Sequence, residues 1–321
     1  VSAAPDFSGY ISKPGPEIPK GYFNLEENLY HAFPAVSVGV LKETSAASML
    51  HNRTKPAEDS DEKAALVLGT LTHMACLEPW KFSKEHYKQY FAICPTKGLD
   101  TKAAADAREN PVNKGKLLVT EELLTTAWRI RREGIETNPD ALKYLNSPNG
   151  MCEATGIVWD PVHMCRRKWR VDYLPMSGRS YADFILDVKT TRKPLHDFEF
   201  EAKRMGYVIQ GAWYLDSHEL LTGHRLDYWR WLAVTTTEPY MSRLFYMRNL
   251  KPTDPLYEKS QLQQARQRLG LDPSGKLGRL TQFLSSVREH EATRMDTPEM
   301  DFRTLRNIWP AFEQTDPIEL L

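Results

Sequence analysis

Cysteine is scarce in this chain, and none of its four cysteines stands in a Cys-x-x-Cys pair. Cys76, Cys94, Cys152 and Cys165 follow no zinc-finger spacing, which argues against a disulfide framework or a structural zinc and suits a reducing cytosol. Net charge is missing as well. The 42 lysines and arginines cancel 42 aspartates and glutamates, so no global field draws the chain to a polyanion, and any such contact must be local. Long apolar runs are absent. The longest, Ala64 to Leu77, is interrupted by Gly69, Thr70, Thr72 and His73 and is too short for a bilayer, so no membrane partner is expected. No Walker or dinucleotide fingerprint occurs, which removes the Gly-rich-loop phosphate enzymes. No internal repeat is present. The opening Val-Ser-Ala-Ala-Pro lacks the charged-then-apolar pattern of a signal peptide and reads as a trimmed start, so a cytoplasmic location is expected.

A chain of 321 residues holds one large domain or two, at roughly 100 to 200 residues per domain. Residues 1–36 form the expected N-terminal arm, extended because its first part carries Pro5, Pro14, Pro16 and Pro19 with glycines between. Residues 37–249 form the expected main domain. Residues 250–321 read as a helical extension, with patches at Tyr257 to Leu269 and Leu280 to Ala292 broken by prolines.

The chemistry gathers between Cys165 and Lys189. Cys165 to Tyr173 alternates with period two, placing Arg166, Lys168, Arg170 and Asp172 on one strand face. Met176 to Ser180 is a turn, and Tyr181 to Lys189 a second strand on which Asp183, Ile185, Asp187 and Lys189 point one way. Phe184, Leu186 and Val188 point into the core. A hairpin of these strands brings Asp172 beside Asp187 and Lys189. Two carboxylates on one face repel unless a divalent cation sits between them, and hard oxygen ligands suit Mg²⁺ or Mn²⁺. The bland reading is a pair of strands with exposed charges.

Around this hairpin, Ser37 caps a helix from Val38 to His51, and Arg53 to Asp61 is a charged loop. Glu62 to Leu77 is a helix, stopped by Pro79, with Gly69 and His73 on one face. His73 is either a boundary histidine or a neutral imidazole offered to a metal, with Gly69 permitting close approach to the sheet. Phe91 to Asn113 reads as a loop with a short helix. Thr120 to Arg132 is a helix whose terminal cations suit its own dipole, and Asn138 to Leu145 another. Glu153 begins a strand to Asp160, as a third carboxylate or a strand-edge charge. Leu195 to about Ser217 reads as one helix bearing Lys203, Tyr207, Gln210 and Tyr214 on one face. Leu226 to Thr235 and Tyr240 to Arg248 read as a strand pair closing the sheet.

Taken together, the chain resembles the RecE-type exonucleases (exonuclease VIII) of the PD-(D/E)xK nuclease superfamily, which are related to the RecB nuclease domains. The resemblance rests on Leu68-Gly69-Thr70-x-x-His73 with Leu77-Glu78-Pro79, Glu153 before a Trp-Asp-Pro turn, Arg170-x-Asp172, Asp187-Val188-Lys189-Thr190-Thr191, and Tyr207-x-x-Gln210-x-x-x-Tyr214. It spans about Ser37 to Met247. Val171 stands where the superfamily signature has proline, and the interval from Asp172 to Asp187 is long. The resemblance implies an α/β restriction-endonuclease-like core with a mixed central sheet flanked by helices. It implies that Asp172, Asp187, the Val188 carbonyl and His73 hold Mg²⁺, with Mn²⁺ as a substitute, and that Glu153 reaches a second metal. In that scheme Lys189 orients or deprotonates water, Gln210 and Tyr214 position the scissile strand, and Arg166, Lys168, Arg170 and Tyr207 contact DNA.

The same resemblance implies 5′ to 3′ digestion of one strand at double-stranded DNA ends by a homo-oligomeric ring that feeds a single-strand annealing recombinase. An iron-sulfur nuclease of the RecB type would need a cysteine cluster after the core, and no cysteine follows Cys165. A nuclease-fold protein that only binds DNA or a partner would be expected to have a broken site, whereas both aspartates, the lysine and the histidine stand in order.

Overall fold

The computed structural model describes residues 21–42, 64–145, 150–177, 180–271 and 278–292. Ten strands lie among them: β1 (Phe23–Asn24), β2 (Phe91–Ile93), β3 (Leu117–Val119), β4 (Met151–Asp160), β5 (Cys165–Leu174), β6 (Met176–Ser177), β7 (Ser180–Tyr181), β8 (Phe184–Thr191), β9 (Tyr228–Thr235) and β10 (Ser242–Arg248). The helices that matter below are α1 (Glu27–Ala32), α2 (Val38–Leu41), α3 (Ala64–Leu77), α4 (Lys102–Glu109), α5 (Glu121–Arg129), α6 (Pro139–Leu145), α7 (Phe198–Arg204), α8 (Tyr207–Thr222), α9 (Gln261–Leu269) and α10 (Arg279–Ala292).

Six strands form the main sheet in the order β1-β4-β5-β8-β9-β10. All neighbours are antiparallel except β8 and β9, which run parallel through the α7–α8 crossover, so the sheet is mixed as expected. One face packs α2, α7, α8, α9 and α10 around Trp169, Val171, Ile185, Trp213 and Trp229. The other packs α3, the turn Ile130–Ile135 that follows α5, and α6 over Leu186, Val188, Leu232 and Val234, with α5 itself against α3. Chain on both sides of the expected boundaries at 37 and 249 joins these layers. Phe23, Phe33 and Ala35 are buried before the first, and Leu262, Leu269, Phe283 and Val287 share the main core after the second.

Strand β4 crosses the sheet because Gly156 leaves room for its partner's indole. A Cβ at Gly156 would sit 2.2 Å from Cζ2 of the fully buried Trp169. The β4–β5 turn is tied by Asp160, whose Oδ1 accepts from the Val162 and His163 amides at 2.9 and 3.1 Å, while Oδ2 meets Arg167 Nε at 2.7 Å.

Several expected elements differ. The long helix from Leu195 is broken: a 3₁₀ turn and α7 end at Arg204, and Gly206, at φ 69°, restarts the chain as α8. Left-handed backbone there costs least for glycine. Lys203 therefore lies on a different helix from Tyr207, Gln210 and Tyr214, and its ammonium pairs with Glu199 at 2.9 Å. The segment read as a loop with a short helix holds that helix as α4, but it opens on a strand, β2, which pairs in parallel with β3. The strand expected from Tyr181 begins at Phe184, and the turn before it contains the small β6–β7 pair. Of the helix expected from Val38 to His51 only α2 is described, and the rest, with the charged loop to Asp61, lies outside the described residues. No helix among the described residues is long and apolar enough to cross a membrane.

Candidate metal centre

Strands β5 and β8 meet at a single register pair, Tyr173 opposite Leu186. Beyond it the sheet splays, and the first half of β5 turns instead to Val36, which exchanges backbone bonds with Arg166 and Lys168. Antiparallel register sets Asp172 opposite Asp187 at the point of splay, with both carboxylates on one side. The Val188 amide finds no backbone acceptor on β5 at this position, and it donates to Asp172 Oδ2 at 2.7 Å. A buried amide must be paired, so a carboxylate replaces the missing ladder bond. The geometry that opens the site also fixes its first ligand.

Opposite Asp172 on β4 stands Glu153, with φ of 51° in mid-strand. A left-handed glutamate inside a strand is strained, a departure from local preference that clusters at functional sites. The kink flips the strand's facing. Ala154 and Val171 belong to one core layer, whereas Cys152 and Tyr173 pack on the other. Glu153 joins Asp172 and His73 of α3, with one ligand atom from each lying within 4.8 Å of the others. His73 Nδ1 is 3.5 Å from Asp172 Oδ2. Burial and the charge of Lys189 push the imidazole down to about 4, so it is neutral near pH 7 and has a lone pair to give. Two carboxylates and a neutral imidazole form a donor set that fits Mn²⁺ or Mg²⁺.

Asp187 sits beside this trio, fully buried. Its Oδ1 accepts from Gln210 Nε2 at 2.9 Å and its Oδ2 lies 2.6 Å from Lys189 Nζ. Oδ2 accepts no directed hydrogen bond beyond that ion pair, leaving a lone pair for a cation. Burial raises Asp187 to about 6, with Asp172 adding to the shift against Lys189. Glu153 rises to about 8, chiefly from burial and then from the Asp172 charge, and burial also raises Asp172. Carboxylates driven up together in this way mark a site short of positive charge. Lys189 moves upward too: burial alone would lower it, but Asp187 and Asp172 outweigh that. It is a firm cation at neutral pH.

Other expected site residues stand elsewhere. Gln210 and Tyr214 are both buried, and they back the site instead of lining it. Tyr214 bonds to Gln210, which holds Asp187, so the pair orients a carboxylate. Tyr207 is half-buried, its ring 5.0 Å below Lys189 Nζ. Lys168, expected to meet DNA, is buried, and its ammonium donates to the Tyr30, His31 and Phe33 carbonyls at 2.6, 3.1 and 2.7 Å. It serves the C-terminal end of α1, where a cation suits the dipole. Arg170 donates to the Leu25 carbonyl at 2.8 Å and stacks on Tyr30, and Arg166 is buried. These three cations do not form a solvent-facing stripe, because α1 and the chain after it cover that strand face. Gly69 lies against β8 as expected, but an added Cβ would be 3.6 Å from Thr190 Oγ1, an ordinary contact, so the approach does not demand glycine.

The sequence reading passed over two features. Arg131, read as serving its own helix, reaches the Ala75 and Cys76 carbonyls at 3.3 and 2.9 Å and so caps α3, the helix carrying His73. Arg192, Lys193, His196 and Arg243 are exposed around one cleft where β8 ends. Arg192 and Lys193 follow Asp187-x-Lys189 directly in sequence, which was a usable signal.

No curated protein matches the chain. Among solved structures, a crystal structure from Eubacterium rectale bearing the name "Putative exonuclease" is similar at 17% identity, covering 88% of this chain and 98% of that one, with a TM-score of 0.47. Residues 36–266 match the family described as "PDDEXK-like domain of unknown function (DUF3799)". That span runs from the Val36 bridge to Arg266 of α9 and takes in every residue of the centre. The chain therefore belongs to this PDDEXK-like family, and its mixed sheet with helices on both faces is a restriction-endonuclease-like α/β core.

Proposed function

We propose that the protein is a divalent-metal-dependent deoxyribonuclease that digests one strand of linear duplex DNA from its ends, in the manner of the RecE-type exonucleases. The observation that carries this reading is the meeting of His73, Glu153 and Asp172 within 4.8 Å, beside an Asp187–Lys189 pair 2.6 Å apart. His73, Glu153 and Asp172 would hold the ion, with Asp187 Oδ2 and the Val188 carbonyl adjoining it. Magnesium is the expected ion and manganese a good substitute, since the imidazole favours the softer metal. When bound, the ion supplies Lewis-acid polarisation of the phosphate and a lowered pKa for water.

The chain's own groups do the rest. Lys189 stays protonated, so it orients the attacking water and offsets charge growing on the phosphate oxygens instead of taking a proton. Gln210 locks the Asp187 carboxylate in one rotamer, and Tyr214 locks Gln210. Tyr207, half-buried beside Lys189, would meet the sugar or base next to the scissile bond. Polarity from 5′ to 3′, a ring-shaped oligomer and a single-strand annealing recombinase as partner are part of the proposal and rest on the family resemblance.

End-labelled linear duplex with Mg²⁺ or Mn²⁺ tests it. Nucleotides should be released from the 5′ end, release should stop in chelator, and Asp187→Ala should be inactive. Activity that persists in chelator or in Asp187→Ala would remove the centre from the chemistry. Preferential 3′ release, or rapid cutting of closed circles, would overturn the exonuclease assignment. A strict monomer at working concentration would overturn the ring.

A further inference from the structure

The Tyr207 ring carries two ammonium groups. Lys189 Nζ lies 5.0 Å from its centroid and Lys42 Nζ 5.6 Å. Lys42 follows α2 directly, and its backbone is fixed at both ends: its amide donates to the Val38 carbonyl at 3.0 Å, and its own carbonyl accepts from Arg279 at 3.1 Å. Its stem runs over Gly206 at the start of α8, where a Cβ would meet Lys42 Cγ at 3.6 Å and Cδ at 3.8 Å. Backbone, stem and ring thus aim one ammonium toward the catalytic pair.

That ammonium has no hydrogen bond or ion pair among the described residues, although it is half-buried. Burial and the repulsion of Lys189 lower its pKa, against a smaller pull from Asp187. A lysine placed to cover a surface would let its charge reach water or a carboxylate. Here a desolvated cation is held next to another cation, an arrangement that costs free energy until an anion arrives. The charge count of the centre says which anion. Glu153, Asp172 and Asp187 are balanced by one divalent ion with Lys189, so the phosphodiester and the further negative charge of its transition state arrive uncompensated. Lys42 is the charge left over.

We propose that Lys42 is a phosphate-binding residue of this centre, donating to a non-bridging oxygen of the DNA backbone while the Tyr207 ring spaces it from Lys189. The assignment rests on the nuclease reading above for the identity of the strand, and it adds a contact from α2, an element outside the Asp-x-Lys hairpin.

The test uses the full chain carrying Lys42→Met, Lys42→Gln or Lys42→Arg, read in two ways. In chelator, affinity for linear duplex DNA is followed against salt. Loss of one phosphate contact makes the slope of log K against log salt shallower by about 0.9, and Lys42→Arg should keep the wild-type slope. With Mn²⁺, kcat/KM on the same duplex should fall about 10- to 100-fold in Lys42→Met, the size of one charged hydrogen bond, and recover in Lys42→Arg. Melting should not fall, since the ammonium makes no hydrogen bond or ion pair among the described residues and sits beside another cation; Lys42→Gln takes the place of Lys42→Met if that variant fails to fold. An unchanged slope with unchanged kcat/KM in Lys42→Met overturns the role, as does an arginine variant as impaired as the methionine one. If the wild type cleaves and Asp187→Ala does not, that failure leaves the nuclease reading standing. If the wild type cleaves nothing with either metal, the nuclease reading falls, and the salt slope still decides whether Lys42 meets a phosphate.

Discussion

Replacing Glu153 by glutamine should flatten the pH dependence of the metal-free protein above neutrality. Glu153 titrates at about 8 in the folded chain against an ordinary 4.5. A carboxyl raised by folding binds more protons folded than unfolded across that interval, so its stabilisation is complete below 4.5 and is lost as pH climbs to 8. Asp187, raised to about 6 from 3.8, has the same sign in a lower window. His73, lowered to about 4 from 6.5, has the opposite sign, and its contribution is gained between those values. Above pH 6.5 the last of the Asp187 titration and the half-protonated unfolded histidine still contribute, with opposite signs, but both proteins carry these remainders, so the difference between wild type and Glu153→Gln from 6.5 to 8 isolates Glu153. At roughly 1.4 kcal/mol per unit for one proton, the metal-free wild type should lose on the order of 2 kcal/mol more than Glu153→Gln across that climb. Glutamine preserves shape and hydrogen-bonding capacity but cannot ionise. Urea unfolding in chelator at pH 6.5, 7.25 and 8 gives the stabilities directly. Added Mn²⁺ should restore the wild type most at the high end, where its ligands are deprotonated, and Glu153→Gln least. A Glu153→Gln slope equal to the wild type's across this interval would refute the claim that burial and the Asp172 charge hold Glu153 protonated.

Three further outcomes follow from particular contacts. His73→Ala should weaken Mn²⁺ affinity by calorimetry and reduce DNA digestion while leaving the melting transition nearly in place; an early melt with full activity and unaltered affinity would make the histidine a packing residue. Gly156→Ala should lower stability by about 2 kcal/mol or more, read as a shifted urea midpoint, because its methyl would overlap the Trp169 indole in a core with no slack. Lys168→Met should cost about 3 kcal/mol by stranding three carbonyls, yet the salt dependence of DNA binding should not change, since this lysine meets no phosphate.

The hairpin was legible because its signals are local. Alternation from Cys165 to Val171 and the Asp187-x-Lys189 spacing set faces independently of the remaining chain, whereas Tyr173, expected on the Val171 face, packs on the opposite layer beyond the kink. The faces of the basic residues were legible too, but their fate was not. Whether Arg166, Lys168 and Arg170 see water depends on α1 and Val36 folding over β5, a contact between residues more than a hundred positions apart. Glu153 could not be settled from position, since glutamate has no propensity for the left-handed backbone it adopts in mid-strand and nothing local in the sequence announces it. The break at Gly206 was visible as a glycine inside a helical pattern, and the apolar residues on both sides masked it. Of the polar stripe, Tyr207, Gln210 and Tyr214 survived the break, although two of them face the sheet.

The cations of this chain explain how a neutral protein can present a charged centre. Three of the basic side chains closest to the centre in sequence or space are consumed in holding the elements that deliver ligands: Lys168 and Arg170 tie down α1 and the chain before it, and Arg131 caps the C-terminal end of α3. Each spends its hydrogen bonds on backbone carbonyls, and of the three Arg170 still acts on the centre, lowering Glu153 against the burial that raises it. Lys189 is offset by Asp187. Burial of the trio outweighs what Lys189 and Arg170 give back, which is why Asp172 and Glu153 rise, while burial and the Lys189 charge keep the His73 imidazole neutral beside them. A centre built in this way has negative charge in excess of what the protein supplies in return, and the difference can be met only from outside, first by a divalent ion and then, with that ion in place, by a substrate whose own charge requires a cation not already paired.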